Sequence, residues 1–572
     1  MKFFKKKIYI TTILLFLLLI STKAISTDNK IQYKQENISN YFSGIVFASK
    51  DYHNDAFEHF KETLGLKEKH SNFNIEYIRT LVFLDKFKEA FSFSESVWKE
   101  NELFFEADLL LGLNFFIQKD YLNSEKHFKR LNQISEYNIF FHDFIGNILL
   151  SWNEASKNNK EKSFNFIDQI PKSYGHIVKI QKNFLNCYFD EIHTKSSFEK
   201  LTRDEDYNFS RYNFFLINYL LYKNNISEAK KVIKYSRKED SANLLLKETE
   251  YFLSNNKTKR IKSFFNCNKP QDSIAEFFYI LANLYSSEEE YQLSNFYLKI
   301  SLFLNKKFTP NKALMAENFY FQKQNKLSKK TYSSIKSIGS AYSWFATKSI
   351  STIIENEKGG EPAIKNLKKE FDTISNPGIE HYYDLANYYK DYEYYEESIK
   401  YYSLILEKIG KDHFLVPKIL YRRGTSFERI KEWESSEKDL KESLKIKPEQ
   451  AHVLNYLAYS WIDKGINLDE SLEMLIKAMK LSKNDGYITD SLGWAYYAKK
   501  NYVEAEFFLQ KAVKLLPSDP IINDHYADVL WMLNKDIQAR YFWKNILELK
   551  DTEQELREKV KKKLIFGINN KI

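Results

Sequence analysis

A short unit repeats along this sequence with a period close to 34 residues, and this period constrains the fold more than any other feature. The small residues that open the four clearest units are Gly424, Ala458, Gly493 and Ala527, at spacings of 34, 35 and 34 residues. In the unit of Gly493, an aromatic residue follows at Tyr496 and a second small residue at Ala505. Residues three or four apart lie on one helical face. Each unit therefore predicts two helices that touch at their small residues.

The same template continues upstream. Its opening positions are Gly44, Ile78, Gly112, Gly146, Ala282, Ala316, Ser351 and Ala386, with weaker units at Leu185, Ile217 and Tyr251. Each helical pair leaves an apolar face uncovered, so neighbouring pairs must stack. With 9 Pro and 15 Gly in 572 residues, helix breakers are scarce. We predict an all-α fold, an α-solenoid in which antiparallel helix pairs form a right-handed superhelix.

The N-terminal residues have the layout of an export signal. Lysines at positions 2 and 5–7 precede a run of 13 mostly apolar residues, 8–20, and small residues stand at Thr22 and Ala24. The run is short for a bilayer core of about 30 Å. We predict cleavage after Ala24 and an exported, periplasmic mature chain that does not span the membrane. An uncleaved segment that keeps the protein at the membrane is the alternative.

The chain divides into four predicted segments. They are a signal peptide at 1–24, divergent helical repeats at 30–270, a more regular array at 271–550 with its best units at 417–550, and a basic helix or tail at 551–572. The basic run 557–563 is interpreted as a solvated, fraying last helix, with contact to anionic lipid as the alternative. The aromatic-rich interior favours two buried free thiols at Cys187 and Cys267, while a disulfide between them stays open.

The best unit resembles the tetratricopeptide repeat family. The residues that carry the resemblance are Gly493-Trp494-Ala495-Tyr496, Ala505, Ala512 and Pro517. The likeness extends over about 40–550 and weakens toward the middle. The blocks 455–459, 485–494 and 523–531 are also similar to a group of large, exported bacterial proteins built from these repeats. The resemblance implies the fold and an exported location.

No enzyme, cofactor or metal site is predicted. The sequence has no phosphate-binding Gly-x-x-x-x-Gly-Lys-Ser/Thr loop, no His-Glu-x-x-His and no Gly-x-Ser-x-Gly. His525 beside Asp524 and Asp528 is interpreted as a solvated or helix-capping residue. The alternative to a protein without enzymatic activity is a hydrolase or lyase with an unrecognised site in the least regular region, 150–270. The net charge of +10 includes five lysines before residue 25, so nucleic-acid binding is not predicted.

A partner-binding groove is predicted on the first helices of the last units. Its residues are His452, Asn455, Tyr459, Tyr487, Asp490, Trp494, Tyr497, Asp524, Asp528 and Trp531. Aromatic rings offer apolar contact to an extended peptide, and amides and carboxylates pair with its backbone or basic groups. Alternatively, the two tryptophans pack between pairs, and Asp490 and Asp524 form local caps or ion pairs. The carboxylates argue against a receptor for a partner's C-terminal carboxylate.

These features predict a non-enzymatic protein–protein interaction scaffold of the bacterial cell envelope. Its partners would be envelope proteins or peptides bound in the groove. One alternative is an accessory factor in polysaccharide export or in cell-wall or outer-membrane assembly, with aromatic residues in contact with glycan. Another is a membrane-anchored scaffold, if the N-terminal signal is not cleaved.

Overall fold

A computed structural model describes residues 35–68, 70–135, 143–239 and 242–568. Over these ranges the regular elements are α-helices and four short 3-10 helices, and none of the described residues is in a β-strand. The predicted all-α fold of paired helices is confirmed. The predicted signal peptide, 1–24, lies outside the described residues. None of the described helices is both long enough and apolar enough to cross a lipid bilayer.

Consecutive helices pack against each other in pairs joined by short turns. The chain falls into two compact units that divide between Ala341 and Tyr342. The pairs before this point are Gln35–Ser49 with His53–Lys61, Ser71–Phe83 with Phe87–Val97, Phe105–Ile117 with Tyr121–Ser135, Ile145–Ser156 with Lys160–Asp168, Gly175–Tyr188 with Thr194–Thr202, Tyr212–Tyr222 with Ile226–Glu239, Leu244–Ser254 with Thr258–Phe264, Pro270–Ser287 with Tyr291–Leu304, and Lys312–Phe321 with Asn325–Ile335.

Six further pairs and one last helix complete the described chain. They are Ser340–Lys358 with Gly360–Phe371, Ile379–Asp391 with Tyr395–Lys408, Val416–Arg429 with Trp433–Ile446, Ala451–Asp463 with Leu468–Leu481, Gly486–Ala498 with Tyr502–Leu515, Pro520–Met532 with Asp536–Glu548, and Gln554–Phe566. The 3-10 helices are Leu64–Glu68, Lys172–Tyr174, Thr309–Asn311 and Lys336–Ile338. Every opening position of the sequence template lies on the first helix of a pair, including the weak ones at Leu185, Ile217 and Tyr251.

The small residues allow the two helices of a pair to approach closely. A Cβ atom on Gly493 would lie 2.6 Å from Leu509 Cγ and 3.1 Å from the Leu509 backbone nitrogen, so only glycine fits without a shift. In three pairs whose second small residue is serine, the hydroxyl makes the same bond. It donates to the carbonyl oxygen of the opening residue twelve positions earlier, in the pairs Ser124 to Gly112, Ser294 to Ala282 and Ser328 to Ala316.

Cys187 and Cys267 form a disulfide, with their Cα atoms 5.7 Å apart. The preference for two free thiols was therefore wrong. The stacking of helical pairs brings together two residues that are 80 positions apart in sequence, and the sequence alone does not reveal this proximity. The disulfide ties helix Gly175–Tyr188 to the segment that follows helix Thr258–Phe264.

The last helix, Gln554–Phe566, is docked on the preceding pair. Val560 is fully buried. The Arg557 guanidinium donates hydrogen bonds to the carbonyl oxygens of Leu547, Leu549 and Thr552, at 2.6–3.0 Å. The interpretation of this basic run as a fraying helix was wrong, because its arginine satisfies carbonyl oxygens at and just after the end of helix Asp536–Glu548. Lys559, Lys561 and Lys562 of the run are solvent-exposed, as predicted.

Candidate functional site

The predicted groove residues lie on the first helices of three consecutive pairs. Two aspartates set where the later two helices begin. Asp485 accepts hydrogen bonds from the backbone N–H groups of Tyr487 and Ile488, at 2.9 and 3.1 Å. Asp519 makes the equivalent bonds at the start of Pro520–Met532, both at 3.0 Å. These caps fix which side chains of each helix face the neighbouring pair.

His525 links these helices from a buried position. Its Nδ1 lies 3.0 Å from both carboxylate oxygens of Asp490, and its ring stacks on Trp494 with the centroids 4.0 Å apart. Burial acts to lower the pKa of His525, but Asp490, Asp524 and Asp528 together raise it above its ordinary value. The interpretation as a solvated or capping residue was wrong. His525 lies inside helix Pro520–Met532, where the carboxylate one repeat earlier compensates its burial.

Trp494 is packed by two other rings. Besides His525, it stacks on Tyr497 at a centroid distance of 4.4 Å and an interplanar angle of 6°. Burial is the main cause that raises the pKa of Tyr497, and Asp528 adds to it. This geometry matches the alternative in which Trp494 packs between pairs.

Asp524 and Asp528 are paired with a lysine of the last helix. Lys563 Nζ lies 2.8 Å from both oxygens of each carboxylate. Trp543 Nε1 donates a further bond of 3.0 Å to Asp528. Burial acts to lower the pKa of Lys563, but the two carboxylates raise it. Burial, with the charge of Asp524, raises the pKa of Asp528. The carboxylates expected to meet a basic group of a partner are thus paired with a basic group of the same chain.

Trp531 is covered by the segment that follows the last helix. It is 8% exposed, its ring centroid lies 5.5 Å from that of Trp543, and its Nε1 donates to the carbonyl oxygen of Ile568 at 3.4 Å. Together with Lys563, this contact closes the inner face of the last pair.

The inner face is open around the two preceding first helices. A cavity of about 310 Å³ is lined there by Asn455, Tyr459, Tyr487 and Asp490 of the predicted set. Asn455 Oδ1 is buried and has no hydrogen-bond partner among the described residues. Tyr487 is 58% exposed. His452 is exposed but does not line this cavity.

Several lining residues escaped the sequence analysis as site members. They are Glu428, Arg429, Tyr456, Ser460, Asp463, Lys464, Ser491, Asp519 and Ile522. Asp463 could have been found, because it lies four residues after Tyr459 on the same helical face. Glu428 could not, since it comes from the preceding pair and its position depends on how the pairs stack.

A second cavity, of about 790 Å³, shares Tyr487, Asp519 and Ile521 with the first. Its other lining residues are Leu515, Leu516, Pro517, Ser518, Pro520, Asp551, Glu553, Glu555, Leu556 and Lys559. We call the two cavities together the inner groove. Acidic side chains outnumber basic ones along it, and Ile521 adds an apolar side chain that is 54% exposed. No group of three or more His, Cys, Asp or Glu side chains in the described ranges is arranged to hold a metal ion.

The helical pairs, their small-residue contacts and their period define the class of the fold, an α-helical repeat array that is similar to tetratricopeptide repeats. Over 103 residues it is 32% identical to a TPR repeat-containing protein of Pseudomonas aeruginosa, and the match spans 18% of the length of either protein. No protein-family model matches the chain.

Solved structures similar to parts of the chain are also repeat proteins. A tetratricopeptide repeat protein from Parabacteroides merdae matches 38% of this chain and 86% of its own length, with 18% identity and a TM-score of 0.33. A thermophilic TPR protein of Thermus thermophilus matches 33% and 99%, with 15% identity and a TM-score of 0.29. MamA from Desulfovibrio magneticus matches 32% and 99%, with 16% identity and a TM-score of 0.28. Such low scores carry no argument, and the fold rests on the helical pairs themselves.

Proposed function

We propose that this chain is a non-enzymatic protein–protein interaction scaffold of the bacterial cell envelope, which binds segments of partner proteins in the inner groove. The observation that carries the proposal is the cavity that Asn455 lines beside the exposed ring of Tyr487. The Oδ1 atom of Asn455 is buried and has no hydrogen-bond partner among the described residues, which is costly. A rotation of this amide toward the cavity would let a backbone N–H of a bound segment satisfy it.

The remaining chemistry of the groove defines the segment it would take. The exposed side chains of Tyr487 and Ile521 would contact an apolar residue. The acidic side chains of Asp463, Asp551 and Glu553 favour a segment that also carries lysine or arginine. The ion pair between Lys563 and the two aspartates beyond the groove is a contact of this kind within the chain itself.

Two features support an exported location. The first 24 residues have the layout of a signal peptide. Cys187 and Cys267 form a disulfide, and disulfides persist mainly in oxidising compartments such as the periplasm. The alternative of a membrane-anchored scaffold differs only in whether the N-terminal segment is cleaved, and mass spectrometry of the protein from its native envelope would decide it.

The glycan alternative has less support. It needs tryptophan rings that can stack on sugars, and the two candidates are engaged elsewhere. Trp494 stacks on His525 and Tyr497, and Trp531 is covered by the segment after the last helix. The region 150–270, considered for an unrecognised hydrolase or lyase site, consists of the same helical pairs as the rest of the described chain.

The test is crosslinking and affinity capture from the native envelope with full-length protein. The groove variant carries Tyr487→Ala and Ile521→Ala. Its matched control carries Val503→Ala and Ile537→Ala, two side chains of the same unit that are 68% and 87% exposed and do not line the groove. We expect wild type and control to capture the same protein partner, and the groove variant to lose it.

Two outcomes would overturn the proposal. One is capture of no protein by wild type even after crosslinking. The other is a partner retained equally by the groove variant, which would place its contact elsewhere. Thermal unfolding of both variants serves as the folding check, since the four side chains are exposed and their truncation should change stability little.

A further inference from the structure

The unit before residue 342 contains a large cavity with a basic rim. Its volume is about 860 Å³, and its walls come from helices Phe105–Ile117, Tyr212–Tyr222 and Thr258–Phe264, the segment 265–272 and the end of helix Tyr291–Leu304. Five lysines line it: Lys259, Lys262, Lys269, Lys306 and Lys307. No ion pair within the described ranges involves any of these five, whereas nearby Lys223 and Lys299 pair with Asp190 and Asp85.

The only acidic residue that lines this cavity among the described residues is Asp272. Its carboxylate accepts a hydrogen bond of 2.9 Å from the backbone N–H of Asn266. Burial raises its pKa to about 6, against the lowering effect of Lys269 and Lys307. One carboxylate does not balance five ammonium groups, so the cavity has a positive potential that favours an anionic ligand.

The floor of the cavity is apolar. Phe265 is 1% exposed, and Phe303, Leu304 and Ile117 add to the same wall. Two of the lysines lie against aromatic rings, with Lys262 Nζ 5.3 Å from the Tyr222 centroid and Lys306 Nζ 5.8 Å from that of Phe303. An apolar wall with lysine ammonium groups beside its aromatic rings suits a ligand that has both acidic and large apolar groups.

A neighbouring cavity of about 740 Å³ shares Phe303 and Lys306 with the first. It adds Lys88, Lys312 and Lys330, and of its two acidic residues, Asp51 and Asp85, the second is paired with Lys299, so the net charge of its lining is also positive. The two cavities together form a basic tract that is longer than a single small anion requires. A ligand of several residues in extended conformation would cross both.

We propose that this basic tract binds an acidic peptide segment that carries an aromatic or large aliphatic residue. A peptide is favoured over an anionic membrane, because the lysines line a concave cavity that a bilayer surface does not enter. The Cys187–Cys267 disulfide holds one wall of the site, since Cys267 lies between Phe265 and Lys269. The basic tract lies in the unit before residue 342 and the inner groove in the unit after it, and the two sites share no residues. An experiment can therefore refute binding at one site without refuting binding at the other.

The test uses full-length protein and a fluorescein-labelled peptide of alternating glutamate and glycine around one phenylalanine. Fluorescence anisotropy measures binding. The tract variant carries Lys262→Gln, Lys306→Gln and Lys307→Gln. The matched control carries Lys162→Gln, Lys230→Gln and Lys234→Gln, three lysines on helices of the same unit that do not line either cavity. We expect the Kd to rise at least about tenfold in the tract variant and less than about twofold in the control.

A second variant and a second probe sharpen the result. Ile117→Ser should weaken binding of the phenylalanine peptide but not of a peptide with alanine in its place. Lys306→Gln alone should weaken binding severalfold and covers the case in which the triple variant fails to fold. Equal losses in the tract and control variants would overturn the proposal. So would binding of phosphatidylglycerol vesicles that the peptide does not displace, which would assign the lysines to a membrane.

Discussion

His525 Nδ1 lies 3.0 Å from each carboxylate oxygen of Asp490, and the two residues belong to the first helices of consecutive repeats. Both side chains are more than nine-tenths buried. The pair therefore fixes the contact between two neighbouring repeats with a charge-assisted hydrogen bond, beside the stack of His525 on Trp494.

This pair predicts a pH dependence of stability. The pKa of His525 in the folded protein is raised above its ordinary value of 6.5. The contribution of His525 to the free energy of unfolding is therefore fully present below pH 6.5, and it is lost as the pH rises through the raised pKa of the folded state. We expect the urea midpoint of wild type to fall more between about pH 6 and about pH 9 than that of His525→Gln. Parallel pH profiles for the two proteins would contradict this prediction.

Removal of the last-helix lysine should be costly. Lys563→Met leaves Asp524 and Asp528 buried side by side without their cation, and we expect a loss of about 3 kcal/mol in urea unfolding. Lys561→Met is the matched control, because the one ion pair of Lys561 among the described residues is with the exposed Glu558 on the surface of the same helix. A loss below about 1 kcal/mol for Lys563→Met would show that the two aspartates are readily rehydrated.

The glycine of the best repeat should not tolerate a side chain. Gly493→Ala places a Cβ 2.6 Å from Leu509 Cγ, and we expect destabilisation by about 1–3 kcal/mol as the two helices move apart. Gly410→Ala is the control, since a Cβ there meets no atom within 4 Å. Chemical denaturation followed by circular dichroism measures both, and equal stability of the two variants would refute the close-packing argument.

The disulfide should stabilise the unit that contains it. In the chain-entropy model, a crosslink over 80 residues restricts the unfolded chain by about 4 kcal/mol, and measured effects are typically about 2–4 kcal/mol. We expect Cys187→Ala/Cys267→Ala to lower the urea midpoint accordingly. Addition of reductant should lower the midpoint of wild type but leave that of the double variant unchanged. A reductant effect on the variant would mean that the loss has another cause.

The repeat period predicted the fold because it records contacts within each helical pair. Gly493 and Ala505 must be small for reasons local to one unit, and such reasons are visible in a single sequence. Contacts between pairs are less visible. Asp490 and His525 are 35 residues apart, about one period, but a single sequence does not show that the two side chains meet across neighbouring pairs.

The contacts of Asp524, Asp528 and Trp531 depend on the last helix and the segment that follows it. Lys563 reaches Asp524 and Asp528 only because Arg557 and Val560 dock that helix on the preceding pair. The basic run has no repeat period that would place it. As a result, Asn455, Tyr459 and Tyr487 of the predicted set line a cavity, whereas Asp528 and Trp531 of the next repeat contact the last helix and the segment that follows it.

The docked last helix also bears on how this protein meets other copies of itself. The terminal pair of a stacked array exposes an apolar face, and such faces associate with one another unless another element covers them. Leu556, Val560 and Leu564 pack against the cluster of Trp531, Trp543 and Ile546, which hides that surface behind a helix rich in lysine. We therefore expect this helix to hinder end-to-end association of copies of the chain at this terminus.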